Sequence, residues 1–205
     1  MDSPVQKTYS GVVALTTKGR ATRQRIIEGA AAYLRADEPA GVTLDDIRAI
    51  TGTSKSQIFH YFPDGKEELF LAVARHEADR VLDDQQPHLG ALTSWPAWER
   101  WRDSVVARYR AQGRHCPLGA LMAQVGSTPG AREVTSALLN QWQAHIRKGI
   151  CDMQAAGLIR AGLDADRVAA AFIAGIQGGV LVLMSTGSVT HLEAAVDTLV
   201  DHLRG

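Results

Sequence analysis

Cysteine is nearly missing from this 205-residue chain: Cys116 and Cys151 stand far apart, with neither CxxC nor Cys/His zinc spacing. That excludes a disulfide framework and a structural zinc site, implies no metal or cofactor, and fits a reducing cytoplasm. Net charge is missing too, with 22 Lys+Arg against 22 Asp+Glu, so the chain is not coated in basic surface. No stretch alternates apolar and polar residues between turn signals, which predicts little or no sheet. The N-terminal MDSPVQKTYSGVVALTT lacks the basic start and continuous apolar core of a signal peptide and is expected to be a loose polar arm. The most apolar window, Val168 to Met184, is seventeen residues long and broken by Gln177 and three glycines. At the short limit for a membrane span, it reads as a buried helix. No Ser-His-Asp set, paired carboxylate site, phosphate loop or metal cluster is present, which argues against an enzyme. His115-Cys116 is the one adjacent base–nucleophile pair, and Pro117 after it reads as a helix start instead.

What is present is helical periodicity. Hydrophobic residues make up 45% and charged residues 21%, a globular balance, and the length favours two domains or one shared through a dimer. Residues 1–66 hold nine Lys/Arg against seven Asp/Glu, and Lys18, Arg20, Arg23 and Arg25 form a small cationic run suited to phosphate contacts. A first helix is predicted from Lys18 to Ala36, with Ile26, Ile27, Ala30, Ala31 and Leu34 as its apolar stripe. It ends at Pro39-Ala40-Gly41. Thr43-Leu44-Asp45-Asp46 reads as a capping box opening a second helix, with Leu44, Ile47 and Ile50 inward. Thr51-Gly52-Thr53 is the turn. A third helix begins at Ser54 with Gln57 as capping partner, and Pro63-Asp64-Gly65 ends it near Phe62. A fourth runs from Lys66 to about Leu82, with Leu69, Phe70 and Val73 inward.

Residues 83–94 read as a polar connection. The next helix opens at Ser94-Trp95-Pro96 and places Trp98, Trp101, Val105 and Tyr109 on one face. A short helix is expected over Leu118–Val125, then a long one from Thr128-Pro129 to Gly157 carrying Val134, Leu138, Trp142, Ile146, Ile150 and Met153. Asp164 caps a penultimate helix bearing Val168, Phe172, Ile176, Val180 and Met184. Its Gly175, Gly178 and Gly179 each cost about 1 kcal/mol relative to Ala, which close approach of another backbone would offset. Thr190-His191-Leu192-Glu193 reads as a further capping box for a last helix with Leu192, Val196, Leu199 and Leu203 in a coiled-coil-like seam. Extra apolar surface on these two helices predicts a homodimer built on a four-helix bundle.

Thr43 to Lys66 carries the most specific signal: two short helices about a Gly turn, a helix-turn-helix whose second member enters the major groove of double-stranded DNA. Ile58 and Phe62 face inward, leaving Lys55, Ser56, Gln57, Phe59, His60 and Tyr61 on the outer surface. Lys55 and Ser56 are best placed for base edges, Gln57 for adenine, and His60 and Tyr61 for phosphate oxygens. Thr43 with the second helix's N-terminus, and Lys66 with the fourth's, can clamp phosphates.

At these residues the sequence resembles the TetR family of transcriptional regulators, through I-I-x-x-A (Ile26 to Ala30), G-V-T-L-x-x-I (Gly41 to Ile47), G-T-S-K (Gly52 to Lys55) and I-F-H-Y-F-P-x-G-K-E-E-L (Ile58 to Leu69). Pro63-Asp64-Gly65-Lys66, with its extra residue, and His115-Cys116-Pro117-Leu118-Gly119 look like the LmrA/YxaF-like branch. The resemblance implies an all-α protein: a flexible N-terminal arm (1–17), a three-helix helix-turn-helix domain (18–65) and a larger helical effector-binding and dimerisation domain (66–205). It further implies a cytoplasmic homodimer that represses from a palindromic operator and is released by a small molecule. Thr43, Lys55, Ser56, Gln57, His60, Tyr61 and Lys66 inherit DNA contacts. Phe59 stands where the family commonly has Tyr, so it offers apolar contact only, such as to a thymine methyl.

An effector cavity would be lined by Trp98, Trp101, Tyr109, Cys116, Leu118, Met122, Trp142, Ile146, Met153, Phe172 and Ile176, with His115 or His145 as polar handle. Closely spaced tryptophans favour a flat aromatic or hydrophobic ligand, although the same residues also describe an ordinary core. Three other readings stand beside this one: a redox-sensing regulator using Cys116, an enzyme on a helical scaffold, and a helical dimer that mediates only protein contacts.

Overall fold

The computed structural model describes residues 15–35, 42–114 and 128–205. Among them are eight α-helices, one 3-10 turn and no strand, so the all-α class holds. The helix expected over Leu118–Val125, with His115, Cys116, Pro117, Leu118 and Met122, lies outside the described residues, as do most of the N-terminal arm and the Pro39–Gly41 stop.

The first helix, α1 (Thr17–Arg35), buries the stripe Ile26, Ile27, Ala30, Ala31 and Leu34. It packs on α2 (Leu44–Thr51) and α4 (Lys66–Asp83), with the short α3 (Lys55–Tyr61) between them in sequence. Helices of seven or eight residues are marginal alone, and this pair is held by its caps and its core. Ile47, Ile58, Phe62, Leu69, Phe70 and Val73 complete that core with α1. A Cβ on Gly29 would stand 2.6 Å from Thr51 Cγ2, so the Thr51 methyl group of α2 packs directly on α1 where Gly29 has no side chain.

Behind this head lies a larger bundle: α5 (Trp95–Gln112), α6 (Ala131–Ala155), α7 (Ala165–Thr186) and α8 (Thr190–Arg204). The most extensive packing is α7 on α8 and on α6. Trp98, Trp101, Val105 and Tyr109 share the buried face of α5, as the spacing predicts, and Leu138, Trp142, Ile146, Ile150 and Met153 that of α6. Arg102 on α5 donates two hydrogen bonds to the carboxylate of Asp197 on α8, at 2.6 and 2.7 Å, clamping those helices. A 3-10 turn, Leu89–Ala91, seats Leu92 against Gly149 of α6, where a Cβ would fall 2.5 Å from Leu92 Cβ.

α4 belongs to both regions. Leu69, Phe70, Ala72, Val73 and Ala74 enter the core of the head, whereas Ala78, Val81 and Leu82 enter the bundle. The start of α6 meets the head as well, through buried Ala131. Buried Glu77 on α4 pairs with Arg35 at the end of α1 and with Arg80, 3.3 Å away.

Five expectations need correction. Ile50 is 49% exposed, because the α1 crossing buries the Ile47–Thr51 side of α2 instead, and Leu44 is half-buried. α6 begins at Ala131, not at Thr128-Pro129. Gly130 precedes it at φ +84°, and its hydrogen takes the place of a Cβ that would press on Leu71 at 3.3 Å. The capping box at Thr190 does not form: Val189 is the cap residue in helical conformation, and the Ser188 hydroxyl donates to the Thr190 hydroxyl at 2.9 Å. On α8 the fully buried seam is Leu192, Val196, Val200 and Leu203, with Leu199 half-buried. A Cβ on Gly179 would fall 2.5 Å from the Leu192 Cα, but one on Gly178 would meet nothing within 4 Å.

α7 is also the one described helix long and apolar enough to cross a membrane, with 44% of its most apolar window buried inside the chain. One of its faces packs on α6 and α8; Ala171, Ala174, Gly178 and Leu181 are exposed at helical spacing, Leu181 to 66%.

Candidate nucleic-acid interface

Both capping boxes read from the sequence in the head are formed. At α2, the Asp46 amide donates to Thr43 Oγ1 at 3.2 Å, and the Thr43 amide and hydroxyl donate to Asp46 Oδ2 at 2.9 and 2.7 Å. At α3, the Gln57 amide donates to Ser54 Oγ at 3.2 Å and the Ser54 amide to Gln57 Oε1 at 3.0 Å. The turn between them closes on Gly52, at φ 58°, where the left-handed backbone costs a glycine little. Buried Thr51 donates its hydroxyl to the Ile47 carbonyl at 2.7 Å, and Arg25 of α1 donates to the Thr51 carbonyl. The angle between the two short helices is therefore fixed by hydrogen bonds as well as by packing.

On this frame Lys55, Ser56, Gln57, Phe59 and His60 are exposed together, with Thr43 and Lys66 exposed at the starts of α2 and α4. Tyr61 is half-buried against the head's core, its ring edge-on to His60 with centroids 4.8 Å apart. Phe59 is 43% exposed and covers the turn at Gly65, where a Cβ would sit 3.3 Å from its ring. The carboxyl of Asp46 is held below the usual carboxylate value by the Thr43 hydroxyl, then by the Thr43 amide, with the Lys66 ammonium adding its charge. Lys66 also lies 5.0 Å from the Phe70 ring centroid.

Some expected donors already have partners. The Thr43 hydroxyl both accepts from and donates to Asp46. The Gln57 carboxamide is oriented by the cap, with Nε2 left as its outward donor. Of the cationic run, Arg20 donates to the Leu15 carbonyl at 2.7 Å, Arg23 stacks on Phe62 at 4.8 Å and Arg25 holds Thr51. Sequence reading missed this internal use, because Arg25 and Thr51 stand 26 residues apart and helical periodicity carries no signal for such a contact.

In the bundle, Trp98, Trp101, Tyr109, Trp142, Ile146, Met153, Phe172 and Ile176 are all buried in one cluster, with His145 half-buried on α6. Phe172 packs against two indoles that also touch each other, at 5.5 Å from Trp98 and 5.8 Å from Trp101. Trp101 Nε1 donates to Gln85 Oε1 at 3.0 Å. The indole nitrogens of Trp98 and Trp142 are buried with no acceptor, as is one terminal nitrogen of Arg108. Leaving a buried donor unmade costs about 1–3 kcal/mol each. A groove of about 520 Å³ runs between α4 and α6, over Arg75, Ala78, Asp79, Glu133 and Leu138.

A capped helix-turn-helix presenting an exposed reading helix, carried on a larger helical bundle, defines a DNA-binding transcriptional regulator. The chain belongs to the TetR family: residues 26–73 match the bacterial regulatory proteins of the tetR family, and residues 97–199 match the tetracyclin repressor-like C-terminal domain. The HTH-type transcriptional repressor AcnR of Corynebacterium glutamicum is 41% identical over 71 residues, 35% of this chain. That match spans only 37% of AcnR's own length. An uncharacterized HTH-type regulator from the lacX 3' region of Lactococcus lactis is 26% identical over 88% of this chain and 92% of its own. Among solved structures, a TetR transcriptional regulator from Chloroflexus aurantiacus superposes with a TM-score of 0.74 at 28% identity, covering 91% of this chain and 96% of that one. A TetR-family regulator from Cytophaga hutchinsonii shares the fold, with a TM-score of 0.76 at 21% identity over 93% and 96%.

Proposed function

We propose that this regulator represses transcription in the cytoplasm, binding a palindromic DNA operator as a homodimer and leaving it when a small hydrophobic or aromatic effector binds. The observation that carries the reading is the exposed set Lys55, Ser56, Gln57 and His60 on a helix whose start is fixed by the Ser54–Gln57 box. Lys55 and Ser56, at its N-terminal end, go deepest into the major groove. Tyr61 and His60 take phosphates, Thr43 and Lys66 flank them, and Phe59 supplies apolar contact. In this reading residues 18–65 are the DNA-binding domain and 66–205 the effector and dimer domain. The extra residue of Pro63-Asp64-Gly65-Lys66 favours the LmrA/YxaF-like branch.

The exposed Ala171–Leu181 stripe of α7, beside the half-buried Leu199 of α8, supports pairing of these two helices with their copies in a second chain. The aromatic cluster around Phe172 is the effector region, entered by way of the α4–α6 groove, whose Ala78 and Leu138 also belong to the bundle core. A ligand there moves α4, and with it the spacing of the two reading helices, which must match half-sites about 34–36 Å apart or multiples of it.

Selection of the full-length protein against random duplex DNA, followed by footprinting across a salt series, tests this. The expected result is a palindrome bound with a steep salt slope. Lys55→Ala with His60→Ala abolishes the footprint while sedimentation still reports a dimer. Unchanged footprints would refute the assignment, and a monomer at micromolar concentration would refute the dimer.

A further inference from the structure

We propose that Glu77 is a positioning residue for DNA reading: its buried carboxylate, gripped by Arg35 and Arg80, sets the angle of the head on the bundle and so the distance between the two reading helices of a dimer. The inference rests on the operator and dimer reading above. Glu77 is the one charged side chain that is buried among the described residues. It stands where α4 passes from one core to the other, after Ala74 of the head and immediately before Ala78 of the bundle. A buried ion pair at such a place is weak evidence of added stability, because apolar side chains of like volume often serve as well without losing hydration. What the pair adds is direction. Apolar packing is non-directional, whereas a guanidinium–carboxylate contact holds only in a narrow geometry.

Contacts run from Glu77 in both directions. Arg35, the last residue of α1, reaches Glu77 Oε1 from the head. Arg80, one turn further along α4, reaches the same oxygen at 3.3 Å and turns its other terminal nitrogen to Asp84 at 3.9 Å. Asp84, just past the end of α4, pairs with Arg108 of α5 at 2.7 Å. One row of alternating charge therefore passes from α1 through α4 to α5, and Glu77 is the member that joins the head to the rest. The reading helix follows α1 closely. Arg25 of α1 donates to the Thr51 carbonyl, the Thr51 methyl group packs on Gly29, and α3 begins four residues after Thr51, at Lys55. A turn of α1 on α4 thus carries the reading helix with it, and the Arg35–Glu77 pair opposes that turn.

Two variants of the full-length protein test this. Arg35→Met with Glu77→Met replaces the pair by apolar bulk, and Glu77→Gln removes the charge while keeping the size. Each is titrated with the palindrome selected from random DNA, and with the same palindrome carrying one base pair more or fewer at its centre. That insertion or deletion moves the half-sites by about 3.4 Å and roughly 35°. The wild type is expected to bind the altered spacings at least about tenfold more weakly, and both variants to discriminate by about threefold or less. The double variant should melt no lower than the wild type, which separates lost positioning from lost stability. Wild-type discrimination retained in either folded variant would overturn the proposal and leave the operator reading standing. Both variants melting below the wild type, or failing to fold, would make the pair structural and overturn it too. A wild type that binds the palindrome without regard to spacing would overturn it directly, and a wild type that binds no palindrome would remove the operator reading along with it.

Discussion

The head buries Thr51 and Thr53 and gives each hydroxyl a partner, whereas the bundle buries Trp98 and Trp142 and leaves both indole nitrogens without one. Arg48 Nε is the head's single buried atom of that kind among the described residues. The contrast follows from what each region must do. A reading helix has to hold one geometry, so its polar groups are closed upon one another in caps and turns. The bundle is held by apolar and aromatic packing instead, which leaves those two indole donors without an acceptor. The two regions are not independent, since α4 contributes to both cores and Glu77 ties its middle to Arg35.

The contrast breaks most visibly where aromatic packing is removed. Phe172 touches both Trp98 and Trp101 and is fully buried, so Phe172→Ala should cost about 3–5 kcal/mol in urea unfolding. If the bundle is a packed core first and an effector region second, that loss appears whole. A loss below about 1 kcal/mol would mean that the aromatic cluster is already loose, and that its neighbours collapse into the space at little cost.

How far these features could be read from the sequence follows the same division. Thr43, Asp46, Ser54 and Gln57 were legible because a capping box is a rule about residues three apart, decided within one turn of helix. The apolar faces of α5 and α6 were legible because period and burial coincide. Thr190-His191-Leu192-Glu193 satisfied the same local rule and failed, since Val189 already stands in helical conformation and moves the cap upstream. Ile50 failed for a tertiary reason: Gly29 lets α1 close on Thr51, which turns the opposite side of α2 outward. The orphaned indole nitrogens had no sequence signal at all. Trp101 and Trp98 occupy equivalent positions in the pattern, and only Gln85, sixteen residues before Trp101, distinguishes them.

Two glycines sharpen the comparison at an intermediate scale. A Cβ at Gly179 meets the Leu192 backbone, at 2.5 Å from Cα and 3.0 Å from the amide nitrogen, and a helix backbone cannot turn aside. A Cβ at Gly29 meets only the Thr51 methyl group, at 2.6 Å, and a rotated Thr51 relieves it by giving up its bond to Ile47. Gly179→Ala should therefore destabilise the protein by about 1–3 kcal/mol through separation of α7 from α8. Gly29→Ala should cost less in unfolding and more in DNA affinity, because it alters the α1–α2 crossing on which the reading helix is set. Equal unfolding costs for the two variants would count against the difference between backbone and side-chain contact.

The smallest effect lies at the Thr43–Asp46 cap and separates the regions by pH. Thr43's hydroxyl and amide, with Lys66, hold the Asp46 carboxyl below its ordinary 3.8 in the folded chain. Because the folded value is the lower one, the carboxylate's contribution is fully present above the unfolded value. It is lost as pH falls through the folded value. Urea unfolding between about pH 5 and pH 2 should show an acid limb to which Asp46 contributes, and Asp46→Asn should make that limb shallower while retaining an oxygen to accept from the Thr43 amide. The decline should appear first in probes of the head, such as amide exchange at α2 and α3, because the cap is local to that unit. An acid limb of the same steepness in Asp46→Asn would remove the cap from the account of the head's stability. An acid response appearing first in α6 and α7 would assign the pH sensitivity to the bundle instead.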